Sequence, residues 1–306
     1  MSTVLERLAP DARVAVIRLR SLGDSVLTTP ALALLKQARP DLRIAVVVEP
    51  AFASIFAGNP DVECILNPSQ SEISRWRPIL ALNLHGGGSS ARLTLASRAS
   101  FRAGFAHFRF QRLYNIQIPR AQEILGVDRK VHTAEHLASA VFYLGAPVNV
   151  IPRARLFTKI EPRPRPYAVL HPMASQPDKT WPRSNFLELA DHIQNNLSLD
   201  PVFISGPGES LDAFNRYTCV QGASLEEIKS LLAGAALFIG NDSGPAHMAA
   251  AFGIPVVVLF GSSDPDIWRP WQTESAVLTN PAGINSIRVT EAVQAAEKMA
   301  RRLQAK

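Results

Sequence analysis

Cysteine is scarce in this sequence, and long apolar runs are missing. The two cysteines among the 306 residues, Cys64 and Cys219, are far apart, which argues against a disulfide framework and a cysteine-rich metal site. We expect both to be reduced thiols in the core. No apolar stretch reaches the roughly 18 residues that span a membrane, and the opening MSTVLERLAPDAR lacks the apolar core of a signal peptide. These features predict a cytoplasmic protein.

Acidic residues are fewer than basic ones: 26 Asp and Glu against 32 Lys and Arg give a formal net charge of +6. The arginines are most concentrated in one stretch of the first half, at Arg92, Arg98, Arg102, Arg109, Arg112 and Arg120. No interleaved aromatic signature accompanies them, so nucleic acid is not an expected partner. A surface that meets anionic lipid or a phosphorylated acceptor fits this charge. A merely solvated basic surface fits it equally well.

Strands and helices alternate along the chain, which predicts an α/β protein with parallel sheets wound on both faces. The length suggests two domains. Proline occupies every second position of Glu161–Pro166, which is typical of a semi-rigid connector. We therefore expect domains at residues 1–160 and 161–306, facing each other across a ligand cleft at the carboxyl ends of both sheets. The C-terminal helix of such a chain can also pack back on the first domain.

The individual elements follow from apolar periodicity and from turn residues. The predicted strands are Arg13–Arg18, Arg43–Val48, Glu63–Leu66, Leu80–Leu84, Tyr167–His171, Val202–Ser205, Leu237–Ile239 and Val256–Phe260. The predicted helices are Ser25–Ala38, Ala51–Ala57, Thr133–Leu144, Arg183–Asn195, one from Leu225, Pro245–Phe252 and Thr290–Leu303. Ser224 and Glu227 form a capping box for the helix from Leu225. The arginine-rich segment 98–120 is predicted to be irregular.

The stretch Leu237–Gly261, LFIGNDSGPAHMAAAFGIPVVVLFG, predicts a strand, a polar turn, an alanine-rich helix and a second strand. Unpaired N–H groups and the positive end of the helix dipole would converge at the turn, which favours a phosphate. The alternative is that Asp242 or Ser243 is an ordinary helix cap. His247 taken alone is more often a buried, hydrogen-bonded histidine than a ligand.

Three loops should lie at the carboxyl ends of strands and face the cleft. They are Ser21–Asp24 after the first strand, Pro172–Lys179 after the first strand of the second domain, and Asn241–Gly244. A carboxylate and a lysine in such loops suit a general base and a phosphate ligand. The plain alternatives are a helix cap at Asp24 and a solvated lysine at Lys179.

Two further motifs suggest chemistry that the rest of the chain does not support. His85-Gly86-Gly87-Gly88 is similar to the oxyanion loop of lipases, but no G-x-S-x-G nucleophile elbow follows it. Asp264-Pro265-Asp266 has the pattern of a D-x-D metal motif, but its proline favours a turn. We therefore predict neither a lipase nor a metal site.

Three motifs together resemble glycosyltransferase family 9, the lipopolysaccharide heptosyltransferases. Arg18–Asp24 with Thr28-Thr29-Pro30, Lys179–Pro182, and Gly240–His247 with Leu259-Phe260-Gly261 occur in the order and spacing of that family. The resemblance covers nearly the whole chain. It implies a GT-B fold of two Rossmann-like domains. It also implies transfer of heptose from ADP-heptose to the lipopolysaccharide inner core, with inversion at the anomeric carbon.

The resemblance also assigns roles to individual residues. It makes Asp24 the general base, with Ser21, Gly23 and Thr28 on the acceptor side. Lys179, Ser243 and Gly244 would hold the donor diphosphate, and Ser175 is a further phosphate contact. Asp242 would contact the donor sugar or groups close to the phosphate, and His247 would support that loop. The loop Pro172–Asp178 matches no heptosyltransferase subgroup, which leaves the nucleotide and the sugar open. The expected partners are a nucleotide sugar and a lipid-linked glycan at the inner membrane surface, with no cofactor and no metal.

Two other functions remain open from the sequence. A GT-B nucleotide-sugar epimerase would use the same donor loops without a membrane-bound acceptor. A non-catalytic nucleotide-sugar-binding module would need neither a base nor a leaving-group ligand. The presence of Asp24 and Lys179 argues against the second of these functions.

Overall fold

The computed structural model describes residues 2–304, with side chains as far as Arg301. The chain forms two compact units that divide between Phe157 and Thr158, slightly before the boundary at 160 expected from the sequence. The proline-rich segment 161–166 forms neither helix nor strand. Each unit contains a six-stranded parallel sheet within the described part of the chain.

The first unit carries its sheet on short, buried strands with helices in the crossovers. Its strands are β1 (Arg13–Ile17), β2 (Arg43–Val47), β3 (Cys64–Leu66), β4 (Leu80–Asn83), β5 (Phe101–Phe105) and β6 (Ile116–Ile118). Its helices are α1 (Leu22–Ala38), α2 (Gln70–Trp76), α3 (Gly88–Ala96), α4 (Ala121–Leu125) and α5 (Thr133–Leu144). The strand order is β3-β2-β1-β4-β5-β6.

The second unit repeats this architecture. Its strands are β7 (Tyr167–His171), β8 (Asp200–Ser205), β9 (Thr218–Gln221), β10 (Leu237–Asn241), β11 (Val256–Leu259) and β12 (Ser275–Leu278). Its helices are α6 (Arg183–Asn196), α7 (Leu225–Ala233), α8 (Gly244–Phe252), α9 (Pro265–Trp268) and α10 (Val289–Gln304). The strand order is β12-β11-β10-β7-β8-β9, and α10 buries Ala292, Ala296 and Met299 on the sheet side of this unit.

Both sheets contain a point where the direction of strand addition reverses. It lies between β1 and β4 in the first unit and between β7 and β10 in the second. Loops on the two sides of such a point leave the sheet in opposite directions and open a crevice at the carboxyl ends of the strands, where α/β proteins bind ligands. The fold therefore singles out the loops after these four strands.

Helix α1 follows β1 and begins at Leu22, three residues earlier than the sequence predicts. It contains Pro30, which has no N–H for the carbonyl of Val26. The hydroxyl of Thr29 donates to that carbonyl at 2.9 Å instead. The helix thereby continues through the proline and keeps its buried length, although an interior proline normally interrupts a helix.

The prediction that residues 98–120 are irregular is wrong, because β5 and β6 lie within this segment. Strand β5 carries Arg102 and Gly104, which weaken an apolar strand pattern, and β6 has only three residues. Gly104 is needed because the ring of Tyr114 lies where a side chain would be, 2.8 Å from an added Cβ.

Both thiols are free as expected, but Cys64 is only partly buried and Cys219 is exposed, since each lies on an edge strand.

The predicted helix Ala51–Ala57 is a 3-10 helix at Pro50–Ile55. The other predicted elements lie close to their observed bounds, and the capping box of Ser224 and Glu227 at the start of α7 is confirmed. Helices α2, α3, α4 and α9 and strands β9 and β12 have no counterpart among the predictions, and all of them except α3 have seven residues or fewer. Among the described residues, no helix has the length and apolar character to cross a membrane.

Candidate active site

The loop that follows β7 is fixed at both ends by one buried side chain. Asn241, at the end of β10, accepts from the Trp181 backbone N–H at 3.1 Å and donates to the Pro172 carbonyl at 3.0 Å. The Trp181 side chain is fully buried and donates through Nε1 to the Ile287 carbonyl at 2.9 Å. Lys179 lies two residues before this anchor, so its backbone is held at the crevice between β7 and β10.

A glycine allows the loop after β11 to contact the same segment. A Cβ added to Gly261 would lie 2.0 Å from the Asp178 carbonyl oxygen and 2.8 Å from the Lys179 Cα. Any larger residue at position 261 would therefore push the backbone that carries Lys179. This close approach gives a physical reason for the glycine after the apolar strand.

Asp242 and Lys179 are close enough to interact electrostatically. Burial raises the pKa of Asp242 above its ordinary value, and the positive charge of Lys179 opposes this rise. The charge of Lys179 therefore acts on the carboxyl group of Asp242. A ligand diphosphate at Lys179 would also lie near the carboxylate of Asp242.

Ser243 and Gly244 form the N-terminus of α8. Ser243 occupies the N-cap position in extended conformation, but its side chain makes no capping hydrogen bond, and Pro245 at the helix start has no N–H. The Ser243 hydroxyl instead hydrogen-bonds Nδ1 of His171 at 3.0 Å. The Ser243 side chain therefore does not cap α8, and the positive end of the α8 dipole remains directed at the crevice.

The other two donor-side candidates lie in different surroundings. Ser175 is exposed and lines a cavity of about 460 Å³ together with Met173, Gln176, Thr180 and Arg183. His247 is buried inside α8, and its ring lies 6.4 Å from the ring of Trp268. This location suits the supporting role assigned to His247.

Asp24 lies at the reversal point of the first unit, in the first turn of α1. The N-cap of α1 is Ser21, so Asp24 is not the cap. The Ser21 hydroxyl donates to Asp24 Oδ2 at 3.1 Å, and the guanidinium of Arg18 lies 3.6 Å from Oδ1. Arg18 is only 7% exposed, and burial lowers its pKa while the charge of Asp24 acts in the opposite direction. The carboxylate of Asp24 is thereby oriented from two sides.

The remaining acceptor-side candidates have local roles in α1. Thr28 is fully buried, and its hydroxyl donates to the Asp24 carbonyl at 2.8 Å, so it supports the turn that carries Asp24. Gly23 is the second residue of α1 and lies beside Asp24.

The segment His85–Gly88 leads from β4 into α3, and Gly88 is the first residue of that helix. Asn83 is fully buried and accepts from the backbone N–H groups of His85 and Gly86 at 2.9 and 3.1 Å. Burial and the charges of Arg18 and Arg20 lower the pKa of His85, so this turn lies near the Asp24 loop. The motif that is similar to a lipase loop is thus a structural turn at the same crevice.

The six arginines of the first half differ in their surroundings. Arg102 donates to the carbonyls of Leu113 and Ala99, at 3.2 and 3.0 Å, and so holds the β5–β6 connection together. The five exposed members are Arg92, Arg98, Arg109, Arg112 and Arg120. Phe110 and Leu95 in the same region are 38% and 52% exposed.

Asp264 is the N-cap of α9 and accepts from the Asp266 N–H at 2.9 Å, which supports the predicted turn. In the part of the chain that the structure describes, no group of three or more His, Cys, Asp or Glu side chains could hold a metal ion.

Two histidines, the buried His171 and the partly buried His136, should make the stability of the protein depend on pH. Burial lowers the pKa of His171 and of His136 from 6.5 to about 4, and the charges of His107 and Arg18 add to the effect at His136. Because the pKa is lower in the folded state, the unfolded chain binds more protons than the folded chain between pH 6.5 and 4. The free energy of unfolding therefore falls as the pH falls through this window.

We expect each histidine to contribute about 2 kcal/mol to the loss of unfolding free energy between pH 7 and pH 5. The ring of His136 stacks on Phe105 at 4.0 Å, so His136→Phe keeps the packing and should remove its share of the loss. Urea unfolding of both proteins at the two pH values measures this. An equal loss in the variant and the wild type would contradict the assignment to His136.

The two units, each with a six-stranded parallel sheet of Rossmann type, define the GT-B class of fold that the sequence predicts. The sequence model described as glycosyltransferase family 9 (heptosyltransferase) matches residues 79–295. Because this match covers more than half of the chain, the protein belongs to glycosyltransferase family 9 and is a glycosyltransferase. The matched region contains the Lys179 and Ser243 loops, and Asp24 lies before it.

Individual relatives agree with this assignment. The chain is 27% identical to lipopolysaccharide heptosyltransferase 3 of Escherichia coli K12, over 85% of either protein. The crystal structure of a family 9 glycosyl transferase from Veillonella parvula has a TM-score of 0.84 at 21% identity, covering 95% of this chain and 97% of that one. The E. coli heptosyltransferase WaaC, solved with ADP, has a TM-score of 0.79 at 21% identity, covering 94% and 99%.

The sequence assigns no role to three residues of the candidate site, although Arg18 and Asn241 lie within the family motifs. His171 and Asn241 are the last residues of buried strands, and Arg18 directly follows one. A polar residue after an apolar run is ordinary at a strand end. Only the strand order shows that these ends border the reversal points.

Proposed function

We propose that this protein is an inverting heptosyltransferase, which transfers heptose from ADP-heptose to a glycan acceptor of the lipopolysaccharide inner core. One observation carries the proposal beyond family membership. The crevice between β7 and β10 combines Lys179, Asp242 and the N-terminus of α8, which together suit a nucleotide diphosphate. The ligand named for the related WaaC structure, ADP, supports an adenine nucleotide.

On the acceptor side, Asp24 takes the proton from the acceptor hydroxyl while this hydroxyl attacks the anomeric carbon of the donor. The bond from that carbon to the diphosphate oxygen breaks, and the diphosphate leaves with the electron pair. Ser21 and Arg18 hold the carboxylate, so little reorganisation is needed during proton transfer.

On the donor side, negative charge grows on the diphosphate as the bond breaks. Three donors of the loop cluster stabilise this charge: the Lys179 ammonium, the Ser243 hydroxyl and the Gly244 N–H. Asp242 contacts the donor sugar or groups close to the phosphate.

A panel of nucleotide sugars tests the donor. ADP-heptose at 100 times its Kd should stabilise the protein by roughly 2.7 kcal/mol, and UDP-sugars at the same concentration should stabilise it less. Incubation with acceptor glycan and product analysis by mass spectrometry should show transfer of heptose. Stabilisation by UDP-sugars alone would overturn the donor assignment. Conversion of a nucleotide sugar into its epimer without an acceptor would identify an epimerase.

We further propose that the protein works in the cytoplasm on a lipid-linked acceptor and associates with the membrane surface through its arginine-rich segment. The five exposed arginines and the neighbouring Phe110 and Leu95 support this location. We expect retention on vesicles with anionic lipid at low salt, release at high salt, and reduced retention for Arg109→Glu/Arg112→Glu. Retention that does not respond to salt, or no retention at all, would contradict the proposal.

A further inference from the structure

His171 lies at the end of β7, on the reversal point of the second sheet, and was not among the residues that sequence motifs singled out. It is 8% exposed, and Gly240 on the adjacent strand lies next to it. A Cβ added to Gly240 would lie 2.9 Å from the His171 carbonyl oxygen and 3.1 Å from the His171 Cβ. The two strands therefore approach each other closely at the residue that carries the imidazole.

Nδ1 of this imidazole lies 3.0 Å from Oγ of Ser243, across the reversal point. This contact uses the hydroxyl that an N-cap serine normally turns toward its own helix. Burial lowers the pKa of His171 to about 4, so the ring is neutral at pH 7, and one of its two nitrogens carries the single proton.

The position of that proton decides what Ser243 can do. If Nδ1 carries the proton, Nδ1–H donates to Ser243 Oγ, and the Ser243 O–H is free to donate to an anion. If Nδ1 lacks the proton, Ser243 donates to the ring and presents only acceptor lone pairs, which repel a phosphate. An anion in the crevice therefore selects the Nδ1–H form.

We propose that His171 is a positioning residue for donor binding, and that its Nδ1–H fixes Ser243 so that the serine hydroxyl donates to the diphosphate. This inference rests on the proposed donor role of Ser243. His171 does not contact the substrate in this account and acts only through Ser243. The ligand class that the pair recognises is a nucleoside diphosphate.

Binding of ADP to four variants, measured by calorimetry, tests the pair. Ser243→Ala and His171→Leu should each weaken binding by about tenfold, the lower end of the contribution of a hydrogen bond to a charged group. The double variant should bind no more weakly than Ser243→Ala alone. His171→Asn should restore most of the affinity, because the amide nitrogen of asparagine can take the place of Nδ1–H.

Three controls keep the result interpretable. His192→Leu removes a histidine of the same unit that pairs with Glu297 at 3.1 Å, and should leave ADP binding unchanged. Thermal unfolding of every variant separates loss of folding from loss of positioning. Binding of UDP and GDP to the wild type is measured in parallel. If the wild type binds one of these better than ADP, the nucleotide assignment is wrong, and the variants are then compared with that diphosphate.

The proposal predicts strong coupling between His171 and Ser243 and rescue by asparagine. Additive losses in the double variant, or equal losses for His171→Asn and His171→Leu, would overturn it and leave the proposed donor intact. Failure of the wild type to bind any of the three diphosphates would overturn both proposals.

Discussion

Replacing Asp24 with asparagine should lower kcat by roughly 10²–10⁴-fold, the usual loss when a general base is removed. Asparagine has nearly the same size and can still accept from the Ser21 hydroxyl, which donates to Asp24 at 3.1 Å. It cannot accept the proton of the attacking hydroxyl. Steady-state turnover with ADP-heptose and acceptor, compared with donor binding by calorimetry, checks this. Donor affinity should change little.

The control for this variant must account for Arg18. The guanidinium is buried beside Asp24, so removing the carboxylate leaves a less compensated charge and can lower stability. Thermal unfolding should therefore accompany the kinetics. Asp128→Asn, an exposed carboxylate of the same unit, should retain wild-type turnover. Near-normal turnover of folded Asp24→Asn would remove Asp24 from the role of base.

Replacing Lys179 with alanine should weaken donor binding by roughly 1.5–3 kcal/mol, or about 10–150-fold in Kd, the contribution of a hydrogen bond to a charged group. The loop itself should persist, because Asn241 and Trp181 hold its backbone without the lysine side chain. Calorimetry with ADP measures the loss directly. Removal of the charge should also reduce the salt dependence of binding.

Lys298→Ala provides a matched control, since Lys298 is an exposed lysine on α10 of the same unit. It should bind ADP as the wild type does. If Lys179→Ala also bound ADP with unchanged affinity, Lys179 would be an ordinary surface lysine, and the diphosphate would have to lie elsewhere.

Much of the fold follows from local patterns in the sequence. The apolar runs at Tyr167–His171 and Thr133–Leu144 coincide with β7 and α5, because buried strands and amphipathic helices leave strong periodic signals. Strands β5 and β6 were missed because Arg102, Gly104 and a length of three residues weaken that signal. Their pairing partners, which are distant in sequence, are what stabilise them.

The candidate site, like the fold, was predictable only where local sequence motifs mark it. Glycine-rich turns and a lysine after a strand are visible as motifs, and the charge of Lys179 does act on the carboxyl group of Asp242. The buried partners were not predictable, because Asn241 contacts Trp181 and Pro172 across 60 and 69 positions of sequence. The pairing of His171 with Ser243 likewise depends on the adjacency of β7 and β10.

The central claim is that Asp24 acts as a base in a single displacement, and the anomeric configuration of the transferred sugar tests it most directly. Nuclear magnetic resonance of the product formed from ADP-heptose should show the configuration opposite to that of the donor, because the hydroxyl attacks the face away from the leaving diphosphate. The rate should be unchanged in excess chelator. Retention of the donor configuration would contradict the account, since it requires a different displacement mechanism from the one that Asp24 would support.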